Sequence, residues 1–362
     1  MKPVHAQAPR DEVGALALIE PEASVWNAFV EQHPQGSLLQ QAGWGELKAQ
    51  FGWQARRLAV AAATGLVAGA VLLSRGRYGL TVAYCPRGPL FAPDPVANHL
   101  LLAGLSRLAQ RQRAIFLRIE PGLAEQTPAA HQLHTWLQLQ GLQPAPTIQP
   151  RTTLLVDLGP PEANILARCS KGHRADIRRA ERNGVTIRVG GEDDLAAFYQ
   201  LMLTTGQRAG FAIHNEAYYR AAWQTFQPRS RLLLAELAGE LVAAHLICAD
   251  AQAGRYLYSG ANDAGLRAGA NHLLGWQAIR WARELGCAWY DLWGIPDAFG
   301  QAANATDETT RAALEAEAQA DPLIGVYRFK KGFGGQVTRL LPAYDRILIA
   351  PLYRLALRRM QM

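Results

Sequence analysis

Two pairs of segments decide the fold. RRLAVAAATGLVAGAVLLSRGR at 56–77 matches RLLLAELAGELVAAHLICADAQAGR at 231–255, and NHLLLAGLSRLAQRQRAIFLRIEP at 98–121 matches NHLLGWQAIRWARELGCAWYDLWGIP at 271–296. Val67 falls on Val242, His99-Leu100-Leu101 on His272-Leu273-Leu274, and Phe116 on Trp289. The offset is nearly constant, about 175 positions in the first pair and about 173 in the second. The first member of each pairing alternates as two strands around a short turn, Thr64-Gly65 or Ala238-Gly239. The second carries a helical period and then a strand. Element order repeated at a fixed offset is the mark of duplication. The fold class is therefore α/β (α+β), with two tandem lobes of one type. Each lobe combines an antiparallel hairpin with a helix-linked strand, so both sheets are mixed.

Outward from these blocks, the spacing predicts a strand at 16–20 and a helix at 25–32 that ends at His33-Pro34. SLLQQAGWGELKAQFGW (37–53) has helical spacing, with Lys48 one turn after Trp44. CPRGPLFAPDP (85–95) is a rigid loop, 132–140 a helix, and 143–150 a proline-rich connector. In the second half, helices are expected at 171–182, 193–209 and 216–226, and a third strand at 254–260. An inserted Ala/Glu-rich helix is expected at 306–320. DPLIGVYRFKKGFGG (321–335) reads as a helix over 322–331 ended by glycines, then a strand at 336–341. In the closing RILIAPLYRLALRRM, the residues Ile347, Leu348, Leu352, Leu355 and Ala356 share one face opposite Arg354, Arg358 and Arg359. The expected organisation is a flexible leader before 14, an N-terminal domain at 14–150, a C-terminal domain at 151–345, and a basic amphipathic helix at 346–362.

The 362 residues are 49% hydrophobic and 19% charged, which suits a chain that buries a core. Cys85, Cys169, Cys248 and Cys287 lie far apart with no CxxC, which argues against a zinc site or disulfide scaffold and fits a reducing, cytoplasmic setting. The N-terminus has no apolar run of the signal-peptide kind, and no segment is long and apolar enough to span a membrane. A net charge of +7 favours anionic partners: nucleic acid, phosphorylated substrates or an anionic membrane surface.

No GxSxG, HExxH or Walker loop is present. The residues that could carry chemistry are scattered. Phe329, Lys330 and Lys331 place cations and a ring on the last turn of a helix, a means of presenting a fixed cation to a phosphate or developing oxyanion. Lys331 points about 100° away from Lys330, toward solvent. Arg208 ends a helix beside an aromatic. Tyr256 and Tyr258 form the outward-facing pair of RYLYSG. Gly88 and the prolines of the 85–95 loop fix a chain that carries Arg87 and Asp94. Arg174, Arg178 and Arg182 form a stripe that could meet an RNA backbone or be a solvated face. His99 and His272 open equivalent helices and read as structural.

NHLLGWQAIRWARELGCAWYDLWGI followed by VYRFKKGFGG resembles the FemABX family of peptidoglycan bridge-forming aminoacyltransferases. SLLQQAGWGELKAQFGW, RGPLFAPDP and RADIRRAERNGV resemble further motifs of that family, in the right order, over about residues 14–345. The resemblance implies two GNAT-like lobes with a cleft between them. It implies aminoacyl-tRNA as donor co-substrate with no other cofactor or metal, and as acceptor an amine on the stem peptide of a lipid- or nucleotide-linked precursor. Trp44 and Lys48 resemble the pair near the precursor's nucleotide or diphosphate. Asp94 resembles the acidic residue after the Arg-Gly-Pro loop, a substrate contact or base. Arg208 resembles a diphosphate-binding arginine, and Tyr256 or Tyr258 a cleft tyrosine. Phe329 and Lys330 resemble the phenylalanine-lysine pair whose lysine steadies charge in the transition state. Two departures stand out. The coiled-coil arm of staphylococcal members is missing, and Trp293-Gly294 stands where the family often has Gly-Gly.

Two other readings stay open from the residues. One is a GNAT-like N-acyltransferase that uses acyl-CoA, although LRAGANHLLG has the wrong spacing for a pyrophosphate loop. The other is a non-catalytic module that binds cell-wall intermediates, with peripheral membrane contact through 346–362.

Overall fold

A computed structural model describes residues 15–360, so the expected leader before 14 lies outside the described residues. The first half runs β1 (Ala17–Ile19), α1 (Ala23–Gln32), α2 (Ala42–Ala49), β2 (Gln54–Ala62), β3 (Gly65–Arg77), β4 (Leu80–Cys85), α3 (Pro95–Arg111), β5 (Ala114–Ile119), α4 (Pro128–Leu139) and β6 (Gln143–Ala145). The second half opens with β7 (Thr152–Asp157), α5 (Glu162–Arg168), α6 (Lys171–Arg182), β8 (Thr186–Gly190), α7 (Leu195–Ala209), α8 (Glu216–Thr225), β9 (Ser230–Leu237) and β10 (Glu240–Ala249). It continues through β11 (Ala253–Ala261), α9 (Asp263–Ala268), α10 (Ala270–Glu284), β12 (Trp289–Gly294), α11 (Asp297–Asn304), α12 (Glu308–Gln319) and α13 (Ile324–Lys331). β13 (Gln336–Arg339), β14 (Ala343–Ile347) and α14 (Ala350–Met360) close the chain.

The strands form two seven-stranded sheets, β1-β2-β3-β4-β5-β14-β6 and β8-β9-β10-β11-β12-β7-β13. Position by position they are the same sheet. Hairpins β2–β3 and β9–β10 correspond, and the parallel pairs β4–β5 and β11–β12 are each joined by a helix crossover. The crossover helices start where the sequence allows them. Pro95 opens α3 behind an Asp94 cap, and Gly269, at φ 82°, opens α10.

The sixth position of each sheet breaks the symmetry and corrects the expected boundary at 345. In the second sheet it is filled by β7, at the start of that half. In the first it is filled by β14, almost 200 residues after β7, which lies antiparallel to both β5 and β6. A buried ion pair fixes it there: Arg118 Nη2 and Asp345 Oδ2 are 2.7 Å apart, both nearly inaccessible. Residues 343–347 are therefore strand in the first lobe, and helix begins only at Ala350. The proline-rich connector likewise yields a strand, β6, because β14 offers it an edge.

Each lobe has its own core. Leu101, Leu105, Leu117 and Ile119 centre the first, and Leu274, Ile279, Tyr290 and Phe333 the second. A third cluster joins the lobes: Trp26, Trp44 and Leu47 from α1 and α2 pack with Phe198, Tyr218, Tyr219 and Leu246 from the second half. The face expected for the C-terminal helix is rotated. Ala356 is buried and Leu352 half-buried, and Tyr353 donates to Asp345 at 2.7 Å. Leu355 is left exposed between Arg354 and Arg358. Among the described residues no helix is long and apolar enough to cross a membrane.

Candidate active site

Lys330, in the last turn of α13, is 5% exposed. Its Nζ donates to the Gly294 carbonyl at 2.7 Å and stands 5.6 Å from the centre of the Tyr256 ring. Burial draws its pKa down to about 8, partly opposed by the Asp291 carboxylate. Lys331 is exposed, as its helical angle predicts. The Phe329 carbonyl accepts from His173 Nε2 at 2.7 Å, and its ring packs against Phe333, His272 and Tyr256. Of the glycines after Lys331, only Gly334 has positive φ. Gly332 is needed for close approach, because a Cβ there would lie 1.9 Å from the His173 ring.

Gly294 holds Lys330 at a break in β12. The register against β7 shifts between Asp291 and Gly294, and Trp293 takes φ 63°. The Trp293 ring lies 5.4 Å from the guanidinium of Arg87, which reaches across from the first half and donates to Pro150 O at 2.7 Å. Arg87 is buried, and burial lowers its pKa against the opposing charges of Glu120 and Asp291. Glu120, also buried, accepts from Tyr84 Oη at 2.5 Å. Tyr84 lines a cavity of about 580 Å³ with Trp44, Lys48, Trp53, Arg75 and Arg77. Charge interactions of Arg87 with Glu120 and Tyr84 thus link that aromatic and cationic cavity to the Trp293-Gly294 break that holds Lys330. Lys48 Nζ donates to Tyr218 Oη at 2.8 Å and lies over the Trp44 ring at 4.7 Å.

One expectation changes: Tyr256 and Tyr258 do not share a face. A bulge between Leu246 and Ile247 pairs Tyr256 with Ile247 and Tyr258 with Leu246, turning one ring toward Lys330 and the other toward Tyr218 and Tyr219. Arg208 donates to Ala261 O at 3.0 Å and lies 3.5 Å from Asp263, at the end of α7. His214 lies near Lys48, stacked on Tyr218 at 3.7 Å, its pKa lowered by burial and by the Lys48 charge. Asp94 is exposed and accepts from Val96 N–H at 2.8 Å as the cap of α3. Of the arginine stripe, Arg174 folds back onto the Ala167 and Cys169 carbonyls, while Arg178 and Arg182 are exposed.

Sequence reading missed Arg255, Asp291, Glu120 and His245. Arg255 pairs with both Asp250 and Asp291. His245 is fully buried edge-on to Tyr256 at 4.9 Å, and burial holds its pKa near 3. A charge inside an otherwise apolar strand was the available signal for Arg255 and Asp291, and a charge directly after one for Glu120.

The FemAB family model matches residues 22–241 and 238–356. Lipid II:glycine glycyltransferase of Staphylococcus saprophyticus is 29% identical over 215 residues, 56% of this chain and 51% of that protein. The protein of the same name from Staphylococcus aureus is 29% identical over 204 residues, 53% and 48% of the two chains. The chain thus spans about half the length of the curated relatives it matches. Among solved structures, FemX superposes with a TM-score of 0.81 at 20% identity, covering 94% of this chain and 99% of that one. A tandem GNAT protein from the clavulanic acid pathway gives 0.51 at 13% identity, covering 92% and 98%. At these identities the structural likeness concerns the fold, two tandem GNAT-like lobes.

Proposed function

The chain belongs to the FemAB family, and from that premise we propose that it transfers an aminoacyl group from aminoacyl-tRNA to the stem-peptide amine of a lipid-linked peptidoglycan precursor. The relatives' name, Lipid II:glycine glycyltransferase, supports a lipid-linked acceptor. The observation that carries the reading is Lys330: a buried ammonium held by Gly294 at a strand break, beside Trp293 and the buried Arg87, in a chain whose Trp44 and Lys48 cavity is fit for an anionic substrate.

The reaction joins an amine to an ester carbonyl. A nitrogen–carbon bond forms, the carbon–oxygen ester bond breaks, and the amine proton passes to the leaving ribose oxygen through substrate or water. Charge gathers on the carbonyl oxygen meanwhile. An ammonium has three N–H donors. Gly294 takes one, which fixes the direction of the others, and a donor held in place before reaction stabilises the oxyanion without reorganising. The cavity of Trp44, Lys48 and Tyr84 positions the precursor, and Phe329 and Tyr256 wall the reacting centre.

Incubation with aminoacyl-tRNA and a lipid-linked precursor, followed by mass spectrometry, is expected to show the precursor heavier by one aminoacyl residue. Product with acyl-CoA alone would replace this reading by the coenzyme-dependent one. Precursor binding without product from any donor would replace it by the non-catalytic one. Lys48→Ala is expected to raise KM for the precursor about tenfold, the value of one charge-assisted contact, with kcat nearly unchanged. A fall in kcat at constant KM would move Lys48 from binding to chemistry. The setting proposed is the cytoplasmic side of the membrane, in peripheral contact with it.

A further inference from the structure

The β3–β4 hairpin turns at Tyr78-Gly79, both at positive φ, and Tyr78 at its tip is 82% exposed. Beside it lies a pocket of about 470 Å³ that shares Arg75, Gly76 and Arg77 with the lining of the Lys48 cavity. Arg75, Arg77, Arg111 and Arg113 line it, all exposed, and none forms an ion pair among the described residues. Two of the guanidiniums lie over rings, Arg75 at 5.8 Å from Trp53 and Arg77 at 4.7 Å from Tyr78. Arg113 Nη1 lies against the Gly79 turn. Ser74, on the same wall, is 2% exposed, and its hydroxyl has no partner. Four cations gathered without a carboxylate repel one another, and an anion bound among them removes that cost. Ser74 adds a neutral donor of the kind a phosphate oxygen accepts.

The pocket sits at an end of the first sheet shared with α14. Thr81 N–H donates to the Arg113 carbonyl at 3.1 Å, and the N–H groups of Leu348 and Ile349 donate to the Ile115 carbonyl at 2.9 and 3.0 Å. The hairpin tip, the arginine pocket and the start of α14 therefore lie close together. The outer side of α14 adds Arg354, Leu355 and Arg358. Cations around an exposed aromatic tip, with an exposed apolar side chain nearby, match a membrane interface with anionic headgroups.

We propose that the Arg75, Arg77, Arg111 and Arg113 pocket takes the phosphate of an anionic lipid headgroup and sets this end of the first lobe against the membrane. The proposal rests on the reading above only in that a lipid-linked acceptor lies at that surface. Gln112 Oε1, also without a partner at the pocket wall, can accept from a headgroup hydroxyl.

The test is flotation of the whole protein with vesicles of phosphatidylcholine, with and without phosphatidylglycerol, for the native protein and for Arg111→Gln combined with Arg113→Gln. Binding is expected only to the anionic vesicles, and weaker by about thirtyfold in the double variant. Transfer to a lipid-free precursor should be unchanged, since neither residue lines the Lys48 cavity. Equal binding to neutral vesicles, or equal binding by the double variant, overturns the proposal. So does a melting temperature raised by inorganic phosphate in the native protein alone, with no vesicle bound; the site would then take free phosphate. If transfer is absent throughout while vesicle binding follows the arginines, the functional reading fails and the headgroup site stands.

Discussion

Lys330→Ala is expected to lower kcat by about 10²–10³-fold and to leave KM for donor and acceptor close to the native values, the range found when one preorganised oxyanion donor is removed. Lys330 is too buried to attract substrate from solution, and its Nζ is already directed by Gly294. Its contribution is therefore concentrated where charge develops. The pKa near 8 gives a second readout. A lysine acting as cation loses activity as pH rises through about 8, whereas a lysine acting as base gains it there. Steady-state rates from pH 6 to 10 decide between them, and a rate that rises through pH 8 would overturn the cationic role.

The same burial has a consequence for stability, with a defined sign. The folded-state pKa lies below the ordinary 10.5, so between about pH 8 and 10.5 the unfolded chain binds the proton that the folded one does not. Stability contributed by this group rises with pH across that window, and below it the full cost of burying the ammonium is present. A shift of that size corresponds to about 3 kcal/mol. Lys330→Met is expected to be more stable than the native protein at pH 7 by up to that amount, with the gap closing toward pH 10.5. Urea unfolding at the two pH values measures it. An inactive variant that is also less stable at pH 7 would show that the lysine is a structural tie to Gly294 rather than a cation held at a cost for catalysis.

What could be read from the chain, and what could not, divides by the range of the interactions involved. The duplicated hairpins and crossover helices are written in local alternation and helical period, and both sheets follow them. β14 is different. Nothing within a few residues of Tyr344 says strand rather than helix; its partners β5 and β6 lie some 200 residues away, and the decisive contact is Arg118 with Asp345. The Tyr256 and Tyr258 faces failed for a related reason, because a bulge is set by register with β10 and shifts period-two alternation by one residue. Lys330 was legible because rings, cations and glycines crowd one helix end. Its hydrogen-bond partner, the Gly294 carbonyl, was not, since a carbonyl at a strand break carries no side-chain signal. His214 shows the limit of motif reading: a histidine beyond the end of α7, outside any motif, stacks on the tyrosine that Lys48 bonds.

Asp250→Ala is expected to cost about 3–5 kcal/mol, the range for removing one partner of a buried ion pair. The carboxylate is 2% exposed and accepts five N–H groups. Oδ1 takes Gln252 at 2.9 Å and Ala253 at 2.8 Å, fixing the turn into β11. Oδ2 takes Nε and Nη2 of Arg255 and, from the first half of the chain, Leu38 N–H at 2.8 Å. Alanine strands three backbone donors and leaves the buried Arg255 with Asp291 alone. Asp250→Asn keeps an acceptor without the charge and should fall between. Equilibrium urea unfolding reads both, and an alanine variant within 1 kcal/mol of the native protein, the scale of a surface pair, would show that water replaces the carboxylate there. The effect reaches the active site through charge. With Asp250 gone, Arg255 draws wholly on Asp291, the carboxylate that opposes the fall in the Lys330 pKa. The ammonium then loses support, its pKa drops further below 8, and the alkaline fall in rate moves to lower pH. A profile that stays in place while stability is lost would separate the tie between the lobes from the charge balance around Lys330.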